Sequence, residues 1–248
     1  MLKVLINGIS DIFAKPVLTK ISTCFVAGCG HSGTTLVAAK LGNSKECFLL
    51  GRETNNFSPV RGLYCAREVA YEWVSFAEGA KKKVLLEKTP KHIHSIERIR
   101  KIFPEARFIL MVRNPLDNCA SLFLRFGDLN FSIERWNIDN AKILRYLNDP
   151  GVKVVRYEDL TESPGIVLKQ LADFVGMHWD ESNLEAADNP YAKIEHEDTN
   201  MRLRAEQVGE QVRKNSGKWQ LAFSDHQAEM VLNKTKWVAE RLGYFREG

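Results

Sequence analysis

The stretch Phe25-Val-Ala-Gly-Cys-Gly-His-Ser-Gly-Thr-Thr-Leu-Val37 limits what this chain can fold into more than any other. An apolar run from Cys24 to Ala27 enters a glycine-rich turn, and the turn opens into a helix-forming stretch from Thr34 to Leu41. A strand, a turn and a helix in that order can aim successive backbone N–H groups at one point, beside the positive end of the helix dipole, which suits an anion. The spacing Gly28-x-x-x-x-Gly33 is that of a nucleotide phosphate-binding loop, with Thr34 where such a loop carries its lysine. The turn is therefore expected to hold phosphate but not a γ-phosphate. A glycine-rich turn that merely joins a strand to a helix is the competing reading.

Short apolar and β-branched runs recur at Thr23 to Ala27, Cys47 to Leu50, Lys83 to Leu86, Arg107 to Val112 and Val152 to Arg156. Such runs alternating with helical patterns predict an α/β fold of P-loop type, three layers deep, around a mostly parallel sheet of about five strands. Ile93, Ile96, Ile99 and Ile102 form a core-facing stripe closed by Pro104. Ser224 and Gln227 form a capping box that opens a helix with packing residues Met230, Val231, Trp237, Val238 and Leu242, stopped by Gly243. The polar segment from Glu185 to Gly217 reads either as a lid over a site or as a plain solvated excursion.

The 248 residues fit one α/β domain, expected to span the whole chain. Its 35 basic and 31 acidic side chains leave a formal charge of +4, too mild for a general nucleic-acid binder but suited to a small polyanion. The five cysteines are odd in number and fall largely in apolar segments, which points to buried thiols in a reducing, cytoplasmic compartment. Asp11 and Lys15 interrupt the apolar N-terminal stretch, so neither a signal peptide nor a transmembrane segment is expected.

Ligands of a parallel sheet sit beyond the carboxyl ends of its strands. Four places in the sequence put reactive side chains there. The first is the loop itself, with His31, Ser32, Thr34 and Thr35. The second is Gly51-Arg-Glu-Thr-Asn-Asn-Phe57, where Glu53 can take a proton from a hydroxyl or amine. The third is Leu86-Glu-Lys-Thr-Pro90, with Lys88 past a strand end, able to neutralise charge on a transferring group. The fourth runs from Met111 to Ser121, where Arg113 and Ser121 make a second anion pocket. Taken singly, each also fits a surface or structural residue.

Taken together, Gly-x-x-x-Ser-Gly-Thr-Thr, the glutamate after a strand, Glu-Lys-Thr-Pro, and Arg-x-Pro with a serine eight positions past the arginine resemble the sulfotransferases that use 3′-phosphoadenosine 5′-phosphosulfate (PAPS). The likeness runs from about Thr23 to Leu160, with a weaker tail to Gly243, and resembles the branch that includes glycosaminoglycan and tyrosylprotein sulfotransferases. It implies that Gly30, His31, Ser32, Gly33, Thr34 and Thr35 hold the 5′-phosphosulfate, that Arg113 and Ser121 grip the 3′-phosphate, and that Tyr157 lies near the adenosine. It further implies that Glu53 is the general base and that Lys88 stabilises the leaving oxygen, with no obligatory metal. The product would be adenosine 3′,5′-bisphosphate, and the acceptor a sugar, a small metabolite or a tyrosine, with no nucleic-acid partner.

Two departures stand out. His31 occupies the position where many members place a lysine or arginine, giving it a candidate role in transfer as well as in binding. Where cytosolic members show Arg-Lys-Gly and Gly-Asp-Trp, this chain has Val212-Arg-Lys-Asn-Ser-Gly-Lys-Trp219, so Arg213, Lys214 and Lys218 are candidate nucleotide contacts. Residues 55–72 and 185–213 are expected to shape acceptor choice. The rival readings are a P-loop kinase of a small molecule and a nucleotide-binding protein without turnover.

Overall fold

The computed structural model describes residues 15–184 and 217–245. Five strands, β1 (Ser22–Gly28), β2 (Cys47–Leu49), β3 (Val84–Lys88), β4 (Arg107–Val112) and β5 (Val152–Arg156), form one sheet in the order β2-β3-β1-β4-β5. Every pairing is parallel, so the mostly parallel sheet expected from the sequence is a wholly parallel one. The chain leaves β1 in one direction and β4 in the other, which puts the switch point of the sheet between these two neighbours. A crevice at that point, beyond the carboxyl ends, is where such sheets bind ligands.

Strict alternation along the strands divides the core in two. Phe25 and Ala27 of β1, with Phe108, Leu110 and Val112 of β4, pack into one apolar layer, whereas Cys24, Val26, Ile109 and Met111 face the other. The second layer is covered by α1 (Thr34–Gly42) through Val37, Ala38 and Leu41. The first is covered by α2 (Leu63–Gly79), α3 (Ile96–Ile102), α4 (Pro115–Phe126) and α5 (Leu129–Ile143). After β5 come α6 (Tyr157–Glu162) and α7 (Pro164–Val175), whose Leu168, Leu171 and Val175 join the second layer. The last described helix, α8 (Asp225–Arg241), opens with the expected Ser224–Gln227 capping box and packs on the first layer.

Several expectations change in detail. The isoleucine stripe is buried throughout, yet it spans two elements: a 3₁₀ turn (Pro90–His94) and α3, separated at Ser95. Trp237 is 59% exposed and serves as a platform for Arg241, whose guanidinium lies 4.0 Å from the ring centre, instead of packing in the core. Cys65 is exposed, while Cys24, Cys29, Cys47 and Cys119 are buried thiols. Lys88 is the last residue of β3, not a residue beyond it. The segment 185–217 lies outside the described residues apart from Gly217, as do Arg213 and Lys214. Among the described residues, no helix is long and apolar enough to cross a membrane.

Candidate active site

The loop after β1 is shaped by two positions that only glycine can occupy. Gly28 has φ +140°, and a Cβ there would lie 2.3 Å from the carbonyl oxygen of Met111 on β4. Gly33 has φ +93°, and its Cβ would lie 2.6 Å from Cδ2 of Tyr157. Gly33→Ala combines a left-handed backbone with that collision, and is expected to destabilise the fold by about 2 kcal/mol in urea unfolding; an unchanged midpoint would show that Tyr157 does not brace the loop. Gly33 also caps α1 without a side chain, which leaves the amides of the first helical turn facing outward from the loop.

Inside the loop Ser32 is fully buried, and its hydroxyl donates to the carbonyl of Cys29 at 2.6 Å. Asn118 of α4 reaches over and donates Nδ2–H to the carbonyl of Gly30 at 3.1 Å, while its Oδ1 lies 3.4 Å from Sγ of Cys29. Burial pushes the Cys29 thiol well above its ordinary pKa, so it remains a neutral donor there. Ser32 and Asn118 thus set the loop's curvature from within.

His31 adopts φ +68°, rare for a side chain of its size. Its Nδ1 lies 2.8 Å from Oγ of Ser121, and its carbonyl accepts from Nη1 of Arg113 at 3.2 Å. The imidazole therefore turns from the loop toward the pocket of Arg113 and Ser121. Arg113 follows β4 directly and is buried, its guanidinium 4.4 Å from the centre of the Tyr157 ring. Indole Nε1–H of Trp136 donates to the Arg113 carbonyl at 3.1 Å. Burial raises the Tyr157 phenol above its usual pKa in spite of the nearby guanidinium, leaving a neutral ring under a cation.

On the other side of β1, Nζ of Lys88 lies 2.7 Å from Oε1 of Glu53; the lysine side chain is fully buried and the glutamate 30% exposed. The loop carrying Glu53 hangs on a buried network around Glu87. Glu87 Oε1 accepts from the Thr54 hydroxyl at 2.8 Å and the Thr89 hydroxyl at 2.5 Å, and Oε2 lies 2.9 Å from Nδ1 of His92. Backbone N–H of Thr54 donates to Oγ1 of Thr89, and that of Phe57 to Nε2 of His92. Since Nε2 accepts, the ring proton sits on Nδ1 and points at Glu87. Burial alone would raise the Glu87 carboxyl, but His92 and the two hydroxyls outweigh it and hold it below the usual carboxylate range.

The C-terminal part returns to this edge through Asp117 of α4, whose carboxylate accepts from the Gly217 amide at 2.9 and 3.0 Å and from the Trp219 amide at 3.4 Å. Exposed Lys218 is carried between those two anchored amides, and Asp117 itself lies four residues after Arg113 in the chain.

Residues 61–181 match a family model described as the sulfotransferase family. Over that stretch, just under half of its length, the chain is similar to the sulfotransferase family. The matched stretch contains Lys88, Arg113, Ser121 and Tyr157, while the phosphate-binding loop and Glu53 precede it. Solved structures agree on the fold. The sulfotransferase domain of the Synechococcus PCC 7002 olefin synthase superposes with a TM-score of 0.68 at 20% identity, covering 94% of this chain and 99% of that one. The sulfotransferase domain of the curacin biosynthetic pathway gives 0.60 at 16% identity, over 93% of this chain and 100% of that one. Mouse sulfotransferase SULT7A1, solved with PAP, gives 0.61 at 15% identity, over 95% of this chain and 89% of that one. No curated protein matches the chain in sequence.

The sheet brings Gly30 to Thr35, Lys88, Arg113 and Tyr157 to one edge, with Glu53 joined through Lys88 and Ser121 through His31. Sequence reasoning missed Asn118, Asp117 and the Glu87–Thr54–Thr89–His92 network. Only the adjacency of Glu87 and Thr89 to Lys88 was a visible signal for that network.

Proposed function

We propose that the protein transfers a sulfuryl group from PAPS to a hydroxyl or amine acceptor. The observation that carries this reading is the pair of anion-suited places joined by one residue: the loop of Gly30 to Thr35, and the Arg113–Ser121 pocket, with His31 in contact with both. The PAP (adenosine 3′,5′-bisphosphate) bound by the mouse relative carries phosphates at both ends of its ribose and supports a matching two-ended nucleotide here.

In this reading Glu53 takes the acceptor's proton as the acceptor oxygen or nitrogen bonds to sulfur. The bond from sulfur to the bridging oxygen of the 5′-phosphate breaks, and its electron pair stays with PAP. Lys88 offsets the charge that gathers on that oxygen. The Glu53–Lys88 ion pair delivers proton acceptor and leaving-group cation side by side, so the chemistry depends on positioning. Tyr157 and Arg113 border the nucleoside end, with Lys218, Arg213 and Lys214 as further nucleotide contacts. His31, turned to Ser121, is assigned to the 3′ side, which leaves charge stabilisation at the transferring group chiefly to Lys88. Residues 55–72 and 185–213 shape acceptor choice, and the thiols support a cytoplasmic location.

A small-molecule kinase is disfavoured by Thr34 at the phosphate-reaching lysine position. Equilibrium binding of PAP, ATP and AMP tests the reading: PAP is expected to bind at least about tenfold more tightly than either, the size of one charge-assisted contact. ATP binding as tightly as PAP would favour the kinase, and PAP binding without transfer to any acceptor would favour a protein without turnover.

A further inference from the structure

At the end of β3, strand alternation sends neighbouring side chains to opposite faces of the sheet. Leu85 lies in the first apolar layer and Leu86 in the second, so Glu87 leaves the sheet on the first side and Lys88 on the second. Two consecutive residues of the loop after β2 meet them. Glu53 lies 2.7 Å from Nζ of Lys88, and the Thr54 hydroxyl donates to Oε1 of Glu87 at 2.8 Å.

The loop needs polar holding near Glu53. Asn56 and Phe57 are buried and fix its far end, but Glu53 and Thr54 are half-buried and Asn55, with φ +48°, is exposed. Four consecutive amides supply the holding. Thr54 N–H donates to Oγ1 of Thr89 at 3.0 Å, and Asn55 N–H to the same oxygen at 3.4 Å. Asn56 N–H donates to Oγ1 of Thr54 at 3.2 Å, and Phe57 N–H to Nε2 of His92 at 3.4 Å. Each of these three side chains then passes its own hydrogen to one carboxylate: Thr54 and Thr89 to Oε1 of Glu87, and His92 through Nδ1 to Oε2.

This convergence requires an acceptor at both oxygens of residue 87, since each of the three partners uses an acceptor on a backbone amide and presents a hydrogen. Glutamine has only one such oxygen. With its NH₂ toward the hydroxyls, donor meets donor. With its NH₂ toward His92, the ring must take the other tautomer, and its Nε2–H then meets the Phe57 N–H.

We propose that Glu87 is the positioning residue for Glu53, fixing its place by gathering the four amides that follow it through Thr54, Thr89 and His92. Lys88 holds the carboxylate of Glu53 and Glu87 holds its backbone, so the loop is clasped from both faces of one strand. The inference rests on the sulfuryl-transfer reading for the chemical role of Glu53, but the clasp can be measured without turnover.

The test uses Glu87→Gln in the full chain, with Thr89→Val and Thr89→Ser as a second pair if the buried glutamine prevents folding. By NMR hydrogen exchange, the amides of Thr54 to Phe57 are expected to exchange at least about tenfold faster in Glu87→Gln, and those of Thr54 and Asn55 in Thr89→Val. Thr89→Ser keeps the hydroxyl and should restore the protection. In Glu87→Gln and Thr89→Val, kcat is expected to fall about tenfold, with acceptor KM and PAP affinity within about twofold. That is less than the roughly 10²-fold a 1 Å misplacement can cost, because Lys88 still holds the carboxylate. In a Glu53→Gln background the same substitutions should lower kcat by less than about twofold more, since a residue acting through Glu53 has nothing left to position. Losses that multiply in the double variants, unchanged exchange at all four amides, or Thr89→Ser behaving as Thr89→Val would overturn the inference. Exchange that depends on Glu87 and Thr89 in a chain that transfers nothing from PAPS would support the clasp and overturn the sulfuryl-transfer reading alone.

Discussion

Replacing Glu53 with glutamine is expected to lower turnover by about 10²-fold or more while leaving PAP affinity within about twofold, the pattern of a lost general base. Glu53 is partly exposed and touches Lys88, so a glutamine of the same size can keep the hydrogen bond to Nζ through its carbonyl oxygen. The loop that carries it is held by Thr54, Thr89 and Glu87, none of which changes. What disappears is the capacity to accept a proton. The measurement is a split of kcat from KM for any accepted alcohol, together with PAP binding. Turnover equal to that of the unaltered protein would remove Glu53 from the mechanism, whereas an equal fall in PAP affinity would make it a nucleotide contact.

Lys88 gives a contrasting case. Its side chain is fully buried, and its removal would leave a gap in the interior and take the countercharge from the Glu53 carboxylate. A loss of activity in a Lys88 variant would therefore mix chemistry with local collapse, which makes the glutamate the cleaner probe.

The parts of the molecule that were legible in the sequence are those whose signal is local. Runs of apolar and β-branched residues mark β4 and β5 at their observed bounds: Phe108 to Val112 is buried throughout, and on the edge strand β5 the apolar Val152, Val154 and Val155 still outweigh the exposed Lys153. β3 breaks that pattern, and its end was misjudged for that reason. Glu87 and Lys88 are charged and yet belong to the strand, since each finds a polar partner, Glu87 in His92, Thr54 and Thr89, and Lys88 in Glu53. Those partners lie up to 35 residues away, and no local pattern announces them. The same holds for His31 with Ser121, 90 residues apart, and for Asp117 with Gly217, 100 apart. The isoleucine stripe illustrates the reverse error: a period of three reports which face is buried, not whether the backbone is continuous, and Ser95 with φ −127° interrupts it. Arg135 and Asp139 stand four apart on one helix, but only the fold sets the Arg135 guanidinium beside Gly30.

Arg113→Ala is expected to weaken PAP binding by about 100-fold and AMP binding by less than about threefold, the difference being the charge-assisted contacts of one guanidinium with one phosphate. The selectivity follows from where the side chain sits. Its backbone is pinned independently, the carbonyl held by Trp136 and the next residue's amide by Glu158, so truncation leaves the turn in place. The guanidinium itself contacts the His31 carbonyl and covers Tyr157, on the side of the loop where Ser121 also points. Arg113→Lys should recover charge but neither the fork nor the stacking on Tyr157, and is expected to bind PAP between the two extremes. Equal losses for PAP and AMP in the alanine variant would mean that Arg113 braces the loop through His31 and does not read the 3′-phosphate. The two roles separate because the brace acts on every nucleotide alike, while a phosphate contact acts only on the nucleotide that carries the phosphate.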